Sequence, residues 1–130
     1  MREIKFRARN AGLPRCWVYG YFVVKNGECL IVNEDGEFKV IAGTVCQYTG
    51  VKDKNGKEIY EGDIVRQSSA WWDGTVVGEV VFKGGMFVVI DCTKYTRREY
   101  LLNTTAKVIG NVYENPQERG AKKKKEANNA

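Results

Sequence analysis

Apolar and polar residues alternate through much of this chain with the two-residue period of half-buried β-strands. In the first such segment, residues 3–9, Ile4 and Phe6 stand between charged side chains. Residues 17–24 are rich in aromatic and β-branched residues and predict a second strand. Asn26-Gly27 predicts a type I′ turn into a third strand, because both residues tolerate positive φ.

Similar signals continue along the chain. Asp35-Gly36 predicts another turn of this kind, so the early strands should form a β-meander. Further strands are predicted over residues 28–32, 37–41, 45–48, 64–65, 75–82, 86–91 and 108–112. Lys83-Gly84-Gly85 marks the clearest hairpin. Residues 94–102 predict a short helix, and residues 119–130, with four consecutive lysines, predict a disordered tail.

The pattern predicts a mostly β protein. Its 130 residues fit one domain, which we place at residues 1–118 and which could divide near residue 46. A hydrophobic content of 43% and an aromatic content of 12% exclude a disordered chain. Apolar runs are too short to span a bilayer, and the first residues lack the apolar centre of a signal peptide, so we expect a cytoplasmic protein.

The sequence contains few residues that could bind a metal ion or act as an activated nucleophile. The chain has no histidine, and its four cysteines form no Cys-x-x-Cys pair, which argues against a zinc site. We expect these cysteines to be free and mostly buried: Cys16, Cys29, Cys46 and Cys92. A phosphate-binding loop and a Gly-x-Ser-x-Gly motif are also missing. We therefore predict no catalytic residue, no metal and no cofactor.

The net charge of +5 is concentrated at the two ends. Residues 1–15 hold five basic residues and one acidic residue, and residues 119–130 hold the same numbers. The remaining body therefore carries −3. A basic protein with charge on a folded face would suggest nucleic-acid binding, but terminal charge weakens that inference.

Three segments match a known family in order and spacing. They are M-R-E-I-K-F-R-A at residues 1–8, Q-Y-T-G-V-K-D-K-N-G-K-E-I-Y-E-G-D-I-V at residues 47–65, and V-I-G-N-V-Y-E-N-P at residues 108–116. Through them the chain resembles the YopX family, although Arg9-Asn10 stands where that family usually has an aromatic and an acidic residue. The resemblance implies a phage or prophage protein with a small SH3-like barrel in its C-terminal half, and no particular reaction.

The central segment invites two chemical interpretations besides a structural one. Asp53, Asn55 and Gly56 superficially resemble a calcium loop, but an EF-hand needs glycine at its sixth and glutamate at its twelfth position. We interpret them as a hairpin loop. Four carboxylates could instead supply the acid–base pair of a hydrolase: Asp53, Glu58, Glu61 and Asp63. Their position in one connected turn disfavours that role.

Most residues of the family motifs are predicted to be structural. They are Tyr48, Thr49, Gly50, Asp53, Asn55, Gly56, Tyr60, Gly62, Asp63, Gly110, Asn111 and Tyr113. Gly62 should adopt a conformation barred to residues with a β-carbon, and Asp63 should cap its own turn. The rings of Tyr48, Tyr60 and Tyr113 could stack on nucleotide bases, although tyrosines in strands more often pack.

Trp71-Trp72 is the strongest binding signal outside these motifs. Adjacent residues of an extended segment point in opposite directions, so one tryptophan could anchor a partner. Both could equally cover the open end of a barrel. Tyr95, Arg97 and Arg98 complete the candidate binding set, although Glu99 beside them also fits a solvated charged face.

We predict a non-enzymatic interaction module that binds a protein partner or itself, since exposed edge strands often pair. A homo-oligomer formed through such edges is therefore a plausible state of this chain. The alternative is a nucleic-acid-binding protein that uses its basic ends and surface aromatics. Its affinity would fall steeply with added salt.

Overall fold

The computed structural model of this protein describes residues 3–69, 74–92 and 97–114. Within these ranges the strands are β1 Phe6–Arg9, β2 Trp17–Lys25, β3 Glu28–Asn33, β4 Gly36–Lys39, β5 Cys46–Lys52, β6 Glu58–Tyr60, β7 Asp63–Ser68, β8 Thr75–Lys83, β9 Met86–Cys92, β10 Arg97–Leu101 and β11 Lys107–Asn111. A 3₁₀ turn, Ala42–Thr44, precedes β5. The predicted mostly β class is confirmed.

The chain divides into two compact units after Gly50, inside β5. The sequence suggested a division near residue 46. In the N-terminal unit the sheet order is β4-β3-β2-β1-β5, and beyond the boundary β5 continues next to β6. In the C-terminal unit a five-stranded sheet has the order β10-β9-β8-β7-β11.

The N-terminal unit is organised around β2, which changes its partner halfway along. Its first half, from Trp17 to Gly20, pairs antiparallel with β1, and its second half, from Tyr21 to Lys25, pairs with β3. The core of this unit consists of Ala8, Val18, Ile31 and Val40, with Phe6, Phe22, Cys29, Phe38 and Val45 packed against them. Ile4, expected to share this face, is exposed and precedes β1.

The two N-terminal turns differ in kind. Asn26 has a φ of 52° and Gly27 a φ of 77°, as the predicted type I′ turn requires. The next turn lies one residue earlier than predicted, at Glu34-Asp35, and Gly36 already begins β4. There the backbone N–H of Asp35 donates to the Asn33 side-chain oxygen (2.8 Å), so a side chain rather than a left-handed aspartate closes the turn.

The C-terminal unit has its own core and hairpin. Its buried residues are Ile59, Val65, Val76, Val80, Val89 and Ala106. The β8–β9 hairpin turns through Gly84 and Gly85, whose φ values of 62° and 82° match the predicted turn. Together with the first unit, this gives each half of the chain a separate hydrophobic core.

The predicted helix at residues 94–102 is wrong. Arg97–Leu101 forms β10, which pairs antiparallel with β9 from Arg97 opposite Cys92 to Leu101 opposite Val88. Tyr100 packs against the core of the unit. A helix of this length gains too few internal hydrogen bonds to compete with a ready partner strand.

Several predictions lie outside these observations. The assigned pairings of the described residues form open antiparallel sheets, so the SH3-like barrel stays a prediction. The predicted disordered tail, residues 119–130, lies outside the described residues.

Cys16, Cys29 and Cys46 are free, but Cys46 alone of these three is buried and Cys16 is exposed. In the described part of the chain, no helix is long and apolar enough to cross a membrane.

Candidate functional site

The predicted binding set is only partly described. Trp71, Trp72 and Tyr95 lie outside the described residues. Arg97 and Arg98 are both exposed on β10, but successive strand residues point to opposite faces, so the two do not form one basic site. The neighbouring Glu99 binds the Lys83 ammonium group at 2.6 Å.

The loop between β5 and β6 is organised by the buried carboxylate of Asp53. Its Oδ1 accepts hydrogen bonds from the backbone N–H groups of Asn55 (2.8 Å) and Lys57 (2.9 Å). Its Oδ2 accepts from the backbone N–H of Val108 (3.0 Å). Gly56 completes the turn with a φ of 85°. One side chain therefore closes its own loop and holds β11.

These contacts change the acidity of Asp53. Burial favours the uncharged form and would raise the pKa of its carboxyl group. The N–H donors of Val108, Lys57 and Asn55, together with the charge of Lys57, outweigh burial and hold the pKa below the ordinary value of 3.8. The carboxylate is thus ionised and surrounded by donors, which is unlike a cation site. No cluster of three potential metal-binding side chains occurs in the described ranges.

The turn between β6 and β7 uses a second buried carboxylate. Asp63 Oδ2 accepts a hydrogen bond from the backbone N–H of Tyr60 (2.8 Å), which caps the turn as expected. Gly62 has the expected left-handed conformation, with a φ of 83°. Its N–H donates to the Val80 carbonyl (2.8 Å), and its carbonyl accepts from Val112 N–H (2.9 Å). The turn is therefore hydrogen-bonded to the middle of β8 and to the residue that follows β11.

Parts of the two longer family segments pair in the C-terminal unit, where β7 and β11 are neighbours. Asn111 of β11 pairs with Asp63 of β7, and the register shifts by a bulge between Val108 and Gly110. The Asn111 side-chain oxygen accepts from the backbone N–H groups of Tyr113 (3.0 Å) and Glu114 (2.9 Å). These contacts organise backbone rather than a ligand pocket.

Three of the four carboxylates considered for a hydrolase accept hydrogen bonds from neighbouring groups. Backbone N–H groups bind Asp53 and Asp63, and Glu58 accepts a hydrogen bond from the Tyr60 hydroxyl group (3.0 Å). None of these bonds joins two carboxyl groups. A general acid–base pair would need two carboxyl groups directed at one substrate bond.

The motif tyrosines present little ring surface. Tyr48 is 5% exposed and Tyr60 is 1% exposed, and Tyr113 is half-buried. A ring stacks on a nucleotide base only with an open face. The Lys5 ammonium group lies 5.6 Å from the centroid of the Tyr48 ring.

A surface groove that the motifs did not indicate lies in the N-terminal unit. We call it the Tyr19–Tyr21 groove, and its volume is about 530 Å³. It is lined by Lys5, Tyr19, Gly20, Tyr21, Val32, Asn33, Glu34 and Asp35. Tyr19 is 45% exposed and Tyr21 is 68% exposed, so both rings are accessible to a ligand.

The local fold explains why this groove is open. β2 pairs with β1 up to Gly20 and with β3 from Tyr21, which lies opposite Val32, onward. The Asn33 side-chain amide donates to the Tyr19 carbonyl (2.9 Å) where strand pairing ends. A β-carbon on Gly20 would collide with the Val32 carbonyl oxygen. Glycine thus permits the close backbone approach beside the two tyrosines.

Charge in the groove is unevenly distributed. Lys5 supplies its one basic side chain and lies 3.7 Å from the Glu3 carboxylate. Glu34 and Asp35 are exposed, and within residues 3–69, 74–92 and 97–114 their carboxylates form no hydrogen bond or ion pair. The groove is therefore aromatic with an acidic rim.

The basic residues of β1 are not displayed to solvent as the alternation predicted. Arg7 is 4% exposed, and its guanidinium carbon lies 4.4 Å from the centroid of the Trp17 ring. Arg9 lies directly opposite Trp17 across the strands, at 5.2 Å from the same ring. Stacking on an aromatic face keeps a guanidinium close to the protein, because the ring attracts the cation. Two basic side chains of the N-terminal segment thus contact an aromatic ring of the unit.

Sequence reasoning missed the Tyr19–Tyr21 groove because β2 is apolar on both faces. Tyr19 and Tyr21 alternate with Val18 and Phe22, so periodicity does not distinguish the buried set from the exposed one. The groove also depends on the turn at Glu34-Asp35, which lies on a different hairpin.

Comparisons with known proteins agree with this architecture. A family model described as "YopX protein" matches residues 18–118, which include the second and third of the family segments. The chain belongs to the YopX family. The opening segment, residues 1–8, lies outside the matched range.

One solved structure similar to this YopX-family chain is that of protein EF1440 from Enterococcus faecalis. The two share 21% sequence identity with a TM-score of 0.52, over 90% of this chain and 98% of that chain. This likeness concerns the fold alone. Among curated proteins, none matches the chain.

Proposed function

We propose that this YopX-family protein is a non-enzymatic interaction module that binds a protein partner at the Tyr19–Tyr21 groove. The observation that carries the proposal is the pair of exposed tyrosine rings lining one preformed groove. Tyrosine is enriched at protein interfaces and among the residues that dominate binding energy. Its ring supplies apolar contact area, and its hydroxyl group can bond at the rim.

The dimensions of the groove support a binding role. Its volume of about 530 Å³ falls within the range of about 300–1,000 Å³ that is typical of ligand sites. The Asn33 amide ties the groove wall to the Tyr19 carbonyl before any ligand arrives. A wall that is already ordered loses less conformational entropy on binding.

The hydrogen bonding of two buried carboxylates in the described C-terminal unit supports a module without catalysis. Asp53 and Asp63, which would be its best acid–base candidates, are engaged by backbone N–H groups. The family resemblance supports a phage or prophage origin. The order β10-β9-β8-β7-β11, in which the last strand returns to the first strand of the meander, supports an SH3-like C-terminal unit.

Two other binding modes are part of the same proposal. A second candidate contact consists of Trp71 and Trp72 with Tyr95 and one of the two arginines, Arg97 or Arg98, and Trp72→Ala tests it. Self-association would use an edge strand such as β4, and sedimentation velocity at rising protein concentration measures it.

The decisive experiment is a pull-down from lysate of the native host with the full chain as bait. Wild type is compared with Tyr21→Ala, Trp72→Ala and the control Leu101→Ala, each with and without nuclease. Leu101 is 65% exposed, close to the exposure of Tyr21, but it lies outside the groove. Circular dichroism of each variant checks that the fold is retained.

We expect wild type and Leu101→Ala to retain a polypeptide whether or not nuclease is added. Tyr21→Ala should fail to retain it. Direct binding of that purified polypeptide to the same variants must then repeat the pattern. Retention by all variants would refute the groove as the site. Recovery of nuclease-sensitive material alone would favour the nucleic-acid alternative.

A further inference from the structure

We infer that the Tyr19–Tyr21 groove recognises a cationic side chain, lysine or arginine, on an exposed segment of the partner polypeptide. This inference rests on the proposed function, because it names the ligand chemistry of the same surface. Its basis is the combination of two accessible aromatic rings with a rim whose acidic side chains exceed its basic ones.

The aromatic rings favour a cation. The face of a tyrosine ring is negative, and it attracts an ammonium or guanidinium group within about 6 Å of its centroid. The same unit already contains such contacts, with Arg7 and Arg9 over Trp17 and Lys5 over Tyr48. Tyr19 and Tyr21 differ from those rings in being accessible from outside.

The rim strengthens this preference. Glu34 and Asp35 lie in the exposed turn that borders the groove, and the charge of Lys5, the one basic residue of the lining, is offset by Glu3 at 3.7 Å. A lysine or arginine entering the groove approaches two carboxylates. A phosphate group would approach the same carboxylates and be repelled, which disfavours nucleic acid at this surface.

The wall of the groove points to recognition through side chains. The Asn33 amide donates to the Tyr19 carbonyl, and its oxygen accepts from Asp35 N–H. These bonds occupy main-chain groups where pairing of β2 with β3 ends. An incoming segment therefore gains little from adding a strand here, in contrast to edge-strand recognition.

The test measures fluorescence anisotropy with the full chain and labelled octapeptides that alternate glycine with arginine. Matched octapeptides with glutamine or glutamate in place of arginine, and an oligothymidylate, serve as comparison probes. The variants are Tyr21→Ala and the double variant Glu34→Gln/Asp35→Asn. Their controls are Leu101→Ala and the charge-matched double variant Glu28→Gln/Glu99→Gln. Salt is held at about 0.15 M to limit general electrostatic attraction.

The arginine peptide should bind wild type more tightly than the glutamine and glutamate peptides do, despite the net charge of +5. Tyr21→Ala should weaken binding by about 2- to 5-fold, as expected for loss of one exposed cation–π contact. The groove double variant should weaken it further than its charge-matched control. Equal binding of the glutamine peptide, or equal loss in both double variants, would overturn the inference.

The two proposals fail separately. If Tyr21→Ala abolishes capture of a partner polypeptide but the arginine peptide does not bind, the groove binds protein by other chemistry. If the peptide binds as expected but no partner depends on Tyr21, cation recognition stands and the proposed function fails. Tyr21-dependent binding of oligothymidylate would overturn the cationic assignment.

Discussion

The Asp53 carboxylate accepts a hydrogen bond of 3.0 Å from the backbone N–H of Val108, 55 residues further along the chain. Its other oxygen binds the N–H groups of Asn55 and Lys57 in its own loop. The bond to Val108 thus joins two segments, residues 47–65 and 108–116, through which the chain resembles its family. A residue that resembles a calcium ligand in sequence is instead a long-range structural contact.

Asp53→Ala should lower the free energy of unfolding by about 2–4 kcal/mol. It would leave three backbone N–H groups without their acceptor, and an unsatisfied buried donor costs about 1–3 kcal/mol before relaxation. Urea denaturation measures the loss. Asp35→Ala, at an exposed turn, is the control and should change stability by less than about 0.5 kcal/mol. Equal losses in the two variants would contradict this assignment.

The contribution of Asp53 should depend on pH. Its pKa in the folded protein lies below the ordinary 3.8, so the ionised carboxylate stabilises the fold above that value. This stabilisation is lost as the pH falls through the folded-state pKa, when the carboxyl group becomes protonated. The stability difference between wild type and Asp53→Asn should therefore be full at neutral pH and narrow below about pH 4. A difference that stays constant with pH would contradict the argument.

Local sequence signals predicted most strands and all but one of the tight turns discussed above, the exception being the turn at Glu34-Asp35. Asn26-Gly27 and Gly84-Gly85 adopt positive φ because these residues meet little steric resistance there, and this property is visible without knowledge of the fold. Gly62 and Asp63 behave likewise, since a short turn depends mainly on its own residues.

Features that depend on distant partners could not be predicted. β10 is a strand because β9 offers hydrogen bonds along Arg97–Leu101, whereas the sequence of that segment is also compatible with a helix. Arg7 is buried because its guanidinium group packs over the ring of Trp17 on the neighbouring strand. The Tyr19–Tyr21 groove is lined by residues of both hairpins of the meander, so the sequence of one hairpin alone does not predict it.

Gly78→Ala should destabilise the C-terminal unit by about 1–3 kcal/mol, the usual cost of forcing atoms into a packed site. A β-carbon there would collide with the Ile90 carbonyl oxygen and lie 2.7 Å from the Ile90 carbonyl carbon. These are backbone atoms of β9, so the two strands would have to separate. Gly43→Ala is the control, because a β-carbon at Gly43 meets open space. Thermal unfolding of both variants would contradict the prediction if their midpoints matched.

Thr44→Val should destabilise the N-terminal unit by about 1–2 kcal/mol. The Thr44 hydroxyl group accepts from the backbone N–H of Arg9 (2.8 Å) and donates to the Ile41 carbonyl (2.6 Å). Valine has nearly the same shape but leaves both backbone groups without this partner. Thr44→Ser is the matched control: it keeps the hydroxyl group and loses one methyl, worth up to about 0.8 kcal/mol. Chemical denaturation should rank wild type, serine and valine in falling stability, and a valine variant as stable as wild type would show that the hydroxyl group contributes nothing.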